Sequence, residues 1–136
     1  MAEHKIYNTP LFRKIGIEEG MQIALIGAPS WIIDELRSLN YSPDINKLIS
    51  HEYRLIWIFE NTSLGMESKM KNAQKHILKN GMIWVSWYKK ASKKSTELNE
   101  DIIRSTALAL DLVDVKVASV NEDWSALKLV IPVAKR

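Results

Sequence analysis

The run Arg54-Leu55-Ile56-Trp57-Ile58-Phe59-Glu60 decides the fold, because it is apolar almost throughout. A strand with one face in water alternates apolar and polar side chains, whereas an unbroken apolar run suits a parallel strand covered on both faces. Upstream, residues 22–27 (QIALIG) form a second short apolar run closed by a turn, and downstream residues 82–87 (MIWVSW) form a third. The segments between them carry helical spacing. Residues 30–39 put Ile32, Ile33, Leu36 and Leu39 on one face, and residues 64–79 put Met66, Met70, Ala73 and Ile77 on one face. Asn80-Gly81 is expected to end that second helix, and residues 45–50 to form a weak strand near an edge. Thr9 as N-cap with Pro10 at the first helical position opens a short helix that Gly16 can end. Thr96, with Glu97 and Glu100, predicts a further capped helix with Leu98, Ile102, Thr106 and Leu110 on its buried side. Residues 114–120 alternate, Asn121-Glu122-Asp123 makes a turn, and residues 125–133 run back, which reads as an antiparallel hairpin. The expected fold is therefore α/β: a compact Rossmann-like three-layer sandwich, its mostly parallel sheet ending in an antiparallel β-hairpin, as one domain over residues 1–136.

Composition narrows the classes further. With 46% apolar and 26% charged residues, the chain is globular rather than disordered. No apolar run approaches the roughly 20 residues of a membrane-spanning helix. The polar start Met1-Ala2-Glu3-His4-Lys5 lacks the apolar core of a secretory signal. The absence of cysteine removes disulfides and thiolate metal sites. These features set the expectation of a cytoplasmic protein. His4, His51 and His76 lie far apart with no i+3 or i+4 partner, so no metal site is expected. The net charge of +3 hides an asymmetry: from Ser68 to Thr96 there are eight lysines and no acid, while the remainder is net acidic.

In a doubly wound sheet the ligand crevice lies beyond the carboxyl ends of the strands, where their order reverses. That rule points to Gly27-Ala28-Pro29-Ser30 after the first strand and to Asn61-Thr62-Ser63 after 54–60. Dinucleotide or adenosyl binding usually asks for closely spaced glycines in the first turn. Here one glycine is followed by Ala28 and Pro29, and proline lacks the N–H donor. No acid follows in 45–49 to grip a ribose, so no cofactor is expected. The loop 88–96 leads from a strand end into a helix start, where amides and the helix dipole favour an anion. Lys89, Lys90 and Thr96 are its candidate ligand groups, with Ala28, Pro29, Ser30, Asn61 and Thr62 across the cleft. The competing reading of Thr62 and Thr96 is as helix caps. The basic stretch with Trp84, Trp87 and Tyr88 suggests single-stranded nucleic acid, but Trp84 and Trp87 face opposite sides of a strand, which counts against it. Asp114, Lys116 and Lys128, read as a cross-strand charge cluster beside Asp123 and Trp124, form a weaker catalytic candidate. No catalytic residue is assigned.

Two resemblances follow from these pieces. Lys14-Ile15-Gly16-Ile17 and Gly20 before QIALIG, Gly81 before a late strand and the closing hairpin resemble class I methyltransferase-like Rossmann domains, less the glycine motif and one strand–helix unit. Thr9-Pro10-Leu11, Ala28-Pro29, Gly81-Met82-Ile83-Trp84-Val85-Ser86-Trp87, Lys89-Lys90, Thr96-Glu97-Leu98, Leu112-Val113-Asp114-Val115-Lys116-Val117 and Trp124-Ser125-Ala126-Leu127-Lys128 are similar to an uncharacterised bacterial family, domain of unknown function 3052. That resemblance implies a fold and no reaction. The resulting expectation is a non-catalytic accessory or regulatory domain that binds a small anion or a protein partner through the sheet-end cleft and lysine loop. The alternative is a reduced methyltransferase-like enzyme or nucleotide binder, with nucleic-acid binding third and no membrane partner. Strand pairing between chains through the hairpin edge 127–133 is a further possibility.

Overall fold

The computed structural model describes residues 9–136; the polar N-terminal stretch and His4 lie outside the described residues. Six strands form one sheet: β1 (Ile23–Ile26), β2 (Asp44–Ile45), β3 (Tyr53–Phe59), β4 (Ile77–Tyr88), β5 (Val113–Ser119) and β6 (Trp124–Val130), in the order β2-β1-β3-β4-β6-β5. The first four run parallel, and β6 is antiparallel to both β4 and β5. Helices α1 (Pro10–Ile15) and α2 (Ser30–Ser38) contribute to one face, and α3 (Ser63–Gln74) and α4 (Glu100–Ala109) to the other. The Rossmann-like sandwich expected from the sequence is the fold observed.

The run 54–60 behaves as its composition requires. Leu55, Trp57 and Phe59 join the core under α1 and α2, while Ile56 and Ile58 join the core under α3 and α4. All five are at most 3% exposed. Trp84 and Trp87 likewise bury into opposite cores, at 0% and 7% exposure, so neither offers a stacking platform. Thr9 caps α1 through Phe12 N–H, and Gly16 closes it with φ 95°. The Trp84 indole then ties the end of α1 to the sheet by donating to the Ile15 carbonyl at 2.8 Å.

Several boundaries differ from the sequence reading. The helix predicted over 64–79 stops at Gln74, and Ile77 belongs to β4. Asn80-Gly81 does not end a helix; both lie inside β4, where Tyr53 pairs with Ile77 but Leu55 pairs with Met82. The bulge bends the strand so tightly that a Cβ on Gly81 would sit 2.8 Å from Ile77 Cγ1. The weak strand at 45–50 shrinks to Asp44–Ile45, ended by Asn46 with φ 55°. Thr96 does not cap α4; Asn99 does, accepting from Ile102 N–H at 2.8 Å. The helix is therefore rotated from the expected stripe: Ile103 and Ala107 are buried, while Ile102 is 37% exposed. Residues 127–133 are not a free edge either, since β6 lies between β4 and β5, and β5 is the edge strand. A register shift between Asp114 and Lys116 breaks their shared parity. Asp114 instead accepts from Arg104 on α4 at 2.9 Å, so the predicted cluster with Lys128 does not form.

One buried polar pair sits at the centre of the sheet. Ser86, fully buried, accepts from the Trp57 indole N–H at 2.8 Å. Ser86→Ala leaves that donor unpaired inside the core, at a cost of about 1–3 kcal/mol. Thermal unfolding should register a clearly lowered Tm, and an unchanged Tm would show that the bond contributes nothing.

Candidate functional site

The strand order reverses at β1: β2 lies on one side and β3 on the other. The carboxyl ends of β1, β3 and β4 therefore define the crevice where ligands of such sheets bind. The geometry there divides into a closed part and an open part.

The closed part lies between the turn after β1 and the end of β3. Gly27 turns with φ 74°, and its N–H donates to Asn46 Oδ1 at 2.7 Å. A Cβ at Gly27 would stand 2.6 Å from the Phe59 carbonyl oxygen, so the missing side chain makes room for β3 itself. Pro29 occupies the N-cap position of α2 without a side-chain cap bond, Ser30 begins that helix in the open, and Ala28 is half-buried against the α1–α2 core. Across the crevice stands Glu60. Its carboxylate accepts from Asn61 N–H at 2.8 Å, Thr62 N–H at 2.9 Å, the Thr62 hydroxyl at 3.1 Å and Lys69 Nζ at 2.7 Å. Gly65 permits this closeness, since a Cβ there would lie 2.5 Å from Glu60 Oε1. Burial on its own would raise the Glu60 pKa, but the Lys69 hydrogen bond, the two amide donors and the Lys69 charge together hold it at about 2. The Lys69 ammonium also lies 3.9 Å from where a Gly27 Cβ would be, so it reaches across the mouth of the crevice.

The open part lies beyond β4. A cleft of about 480 Å³ is lined by Trp87, Tyr88, Lys90, Lys93, Thr96 and Asn99, among others. Asn61 joins the two parts: its side chain accepts from Tyr88 N–H at 2.8 Å, and its carbonyl accepts from Glu97 N–H at 2.8 Å. One face of this cleft is firm. Tyr88 packs on Trp124 with ring centroids 4.3 Å apart, and Trp124 meets Phe59 edge-on at 5.1 Å. A shallow groove of similar size follows α3, but its lining comes from that helix and its C-cap residue Lys75 alone, with no opposing wall.

The sequence-predicted residues divide accordingly. Lys90 and Thr96 line the open cleft, and Thr96 Oγ1 accepts from Leu98 N–H at 3.1 Å. Lys89 does not: its ammonium is turned to Ser119 Oγ at 2.6 Å. Lys93 and Lys94 are both exposed and both line the cleft, Lys94 while paired with Asp123 at 2.9 Å and lying over the Tyr88 ring. Asn61 is a brace and Thr62 a cap, accepting from Gly65 N–H at 3.1 Å. Sequence reasoning missed Glu60, Lys69, Asn46 and Trp31, the last 37% exposed on the first turn of α2. The terminal acid of an apolar strand followed by a lysine nine positions on was the available signal for the pair.

An adenosyl cofactor does not fit the closed part as it stands. The turn's first amide is already donated to Asn46, Pro29 offers none, and the Lys69–Glu60 pair fills the space opposite. Among the described residues no group of three or more His, Cys, Asp or Glu could hold a metal ion. Among the described residues, no helix is long and apolar enough to cross a membrane.

The chain resembles solved methyltransferases in fold. It matches a ribosomal protein L11 methylase from Lactobacillus delbrueckii subsp. bulgaricus with TM-score 0.57 and 12% identity, over 89% of this chain and 76% of that one. It matches the B. subtilis M1A22 tRNA methyltransferase TrmK with TM-score 0.57 and 10% identity, over 90% and 66%. It also matches Streptococcus pneumoniae Sp1610, solved with S-adenosyl-L-methionine, with TM-score 0.60 and 9% identity, over 96% and 72%. These neighbours overturn the expectation of a non-catalytic accessory domain and favour the methyltransferase-like alternative. No family model and no curated protein matches the chain, so the resemblance to domain of unknown function 3052 gains no support.

Glu60 yields a prediction with a definite sign. Its folded pKa lies below the ordinary 4.5, so its stabilising contribution is full above pH 4.5 and is lost as pH falls towards about 2. Glu60→Gln should lower Tm at neutral pH, with the gap to wild type closing across that acid window. A gap independent of pH would mean that the carboxylate charge is not what holds the loop. The chain has the fold of a class I methyltransferase-like Rossmann domain, with the usual cofactor turn closed by its own side chains.

Proposed function

We propose that this chain is a reduced methyltransferase-like enzyme, with a nucleoside or nucleotide as the ligand of its carboxyl-end cleft. The observation that carries the reading is the division of the ligand edge. The crevice at the switch point is bonded shut by Gly27–Asn46 and Glu60–Lys69, while the adjoining cleft of about 480 Å³ is open. The methylase and methyltransferase neighbours support the enzyme half, and the cleft chemistry supports the ligand half. Lys90 and Lys93 carry charge towards a phosphate, Asn99 and Thr96 offer polar groups, and Tyr88, packed on Trp124 with Lys94 over its ring, offers a base an aromatic edge. A second reading places an adenosyl cofactor in the switch-point crevice, favoured by the neighbour solved with S-adenosyl-L-methionine. It requires Lys69 to leave Glu60.

Calorimetric titration with AMP, ATP and S-adenosylhomocysteine separates these readings. The first expects saturable binding of at least one nucleotide, weakened about tenfold (~1.4 kcal/mol) or more by Lys90→Glu with Lys93→Glu. Binding indifferent to those changes but strengthened by Lys69→Ala would move the ligand to the crevice. No binding by any of the three at millimolar concentration contradicts both.

A further inference from the structure

The floor of the open cleft holds a hydrogen-bond donor that the fold leaves unused. Trp87, next to last in β4, lines the cleft and is 7% exposed. The two fully buried tryptophans satisfy their indole N–H groups inside the protein, Trp57 on Ser86 Oγ and Trp84 on the Ile15 carbonyl, each at 2.8 Å. The Trp87 N–H has no such acceptor among the described residues, and it is not sealed either. Among those residues Arg54 Nε is the side-chain polar atom that is both cut off from solvent and unbonded. An indole N–H that is neither bonded nor sealed opens onto the space its ring borders, and for Trp87 that space is the cleft. Indole donates and cannot accept, so the group that meets it must carry a lone pair. The neighbouring side chains repeat this demand. Asn99 Oδ1 is taken by Ile102 N–H at 2.8 Å, which leaves the Asn99 amide hydrogens. Thr96 Oγ1 is taken by Leu98 N–H at 3.1 Å, which leaves its hydroxyl hydrogen to give. Lys90, Lys93 and Lys94 only donate, and no carboxylate lines the cleft.

We propose that Trp87 is the specificity-determining residue of this cleft: its indole N–H donates to a carbonyl oxygen on the ligand's base, so that guanine and uracil nucleotides are selected over adenine and cytosine nucleotides. The inference rests on the nucleotide reading above and deepens it. Buried Trp87 and Leu98 form the floor that meets the base, while exposed Lys90 and Lys93 stand at the rim for the phosphate. A carbonyl oxygen brings two lone pairs, enough for Trp87 and one further donor. Adenine and cytosine carry an exocyclic amino group at the corresponding ring position. There it would set N–H against N–H and leave both unpaired in a place poor in water. Trp87 therefore acts through the edge of its ring, its faces being packed in the core under α3 and α4.

The test is titration of the full chain with GMP, UMP, AMP and CMP, by calorimetry and by ¹H–¹⁵N spectra of the indole N–H groups. In the free protein the Trp87 N–H should exchange with water faster than those of Trp57 and Trp84, which are already bonded. GMP or UMP should bind about tenfold tighter than its amino counterpart, and the bound nucleotide should shift the Trp87 resonance and slow its exchange. Trp87→Phe, which keeps an aromatic ring and removes the N–H, should abolish most of that preference. Thermal unfolding verifies that this variant folds; the wild-type spectra and the four affinities decide the matter without it. Equal affinity for all four nucleotides, or a bound state in which the Trp87 resonance does not move, overturns this inference and leaves the nucleotide reading standing. No binding by any of the four overturns both.

Discussion

The ligand edge of this protein is organised by one carboxylate. Glu60 directly follows β3 and gathers two backbone amides, a threonine hydroxyl and a lysine ammonium within 3.1 Å. A charge taken part-way out of water is tolerable only when it is paired and hydrogen-bonded, and each of these partners is a piece of architecture. The amides set the path out of β3, Thr62 caps α3, and Lys69 belongs to the second turn of that helix. Gly65 is the complement, since any side chain there would strike the carboxylate. From this anchor Asn61 extends the order to β4 and to the loop before α4. The position of the open cleft follows from the same network.

A sheet edge that ordinarily receives a ligand is in this chain satisfied internally around the turn after β1 and the end of β3. The Gly27 amide, which such a turn would present outward, is spent on Asn46, and the space opposite is taken by Lys69. This differs from the nucleotide-binding arrangement in kind, because a glycine is present and even has positive φ, yet the room it makes is filled by the Phe59 carbonyl. Fold likeness to methyltransferases at 9–12% identity carries the architecture, and the side chains decide where on it a ligand can sit.

The fold was largely legible in the sequence because its strongest signals were compositional. An apolar run such as 54–60 can be buried on both faces in few ways, and the hairpin alternation at the end of the chain sets the antiparallel strands. Boundaries failed where local geometry overrode pattern. Asn80-Gly81 looks like a helix stop, but the bulge at Tyr53 and Leu55 uses it inside a strand. Thr96 precedes acids like a cap, yet the chain turns on it and hands the capping to Asn99. The phase of α4, and hence the exposure of Ile102, moved with that start.

The site was less legible. The glycine-poor turn, the Thr62 cap and the position of Lys90 could be read locally, whereas Lys89 is turned aside by Ser119 and Lys94, at the cleft, is paired with Asp123, both partners lying far along the chain. Glu60–Lys69 joins two side chains and Gly27–Asn46 joins a backbone amide to a side chain; the spacing of the acid and lysine hints at the first, and nothing local hints at the second. Backbone amide spectra recorded while a bound nucleotide is titrated test the account most directly. The account predicts shifts confined to the amides of 88–99, with those of Gly27, Asn61 and Thr62 left in place because their bonds are already made. Shifts centred on Gly27, Ser30, Asn61 and Thr62, with 88–99 unmoved, would contradict it.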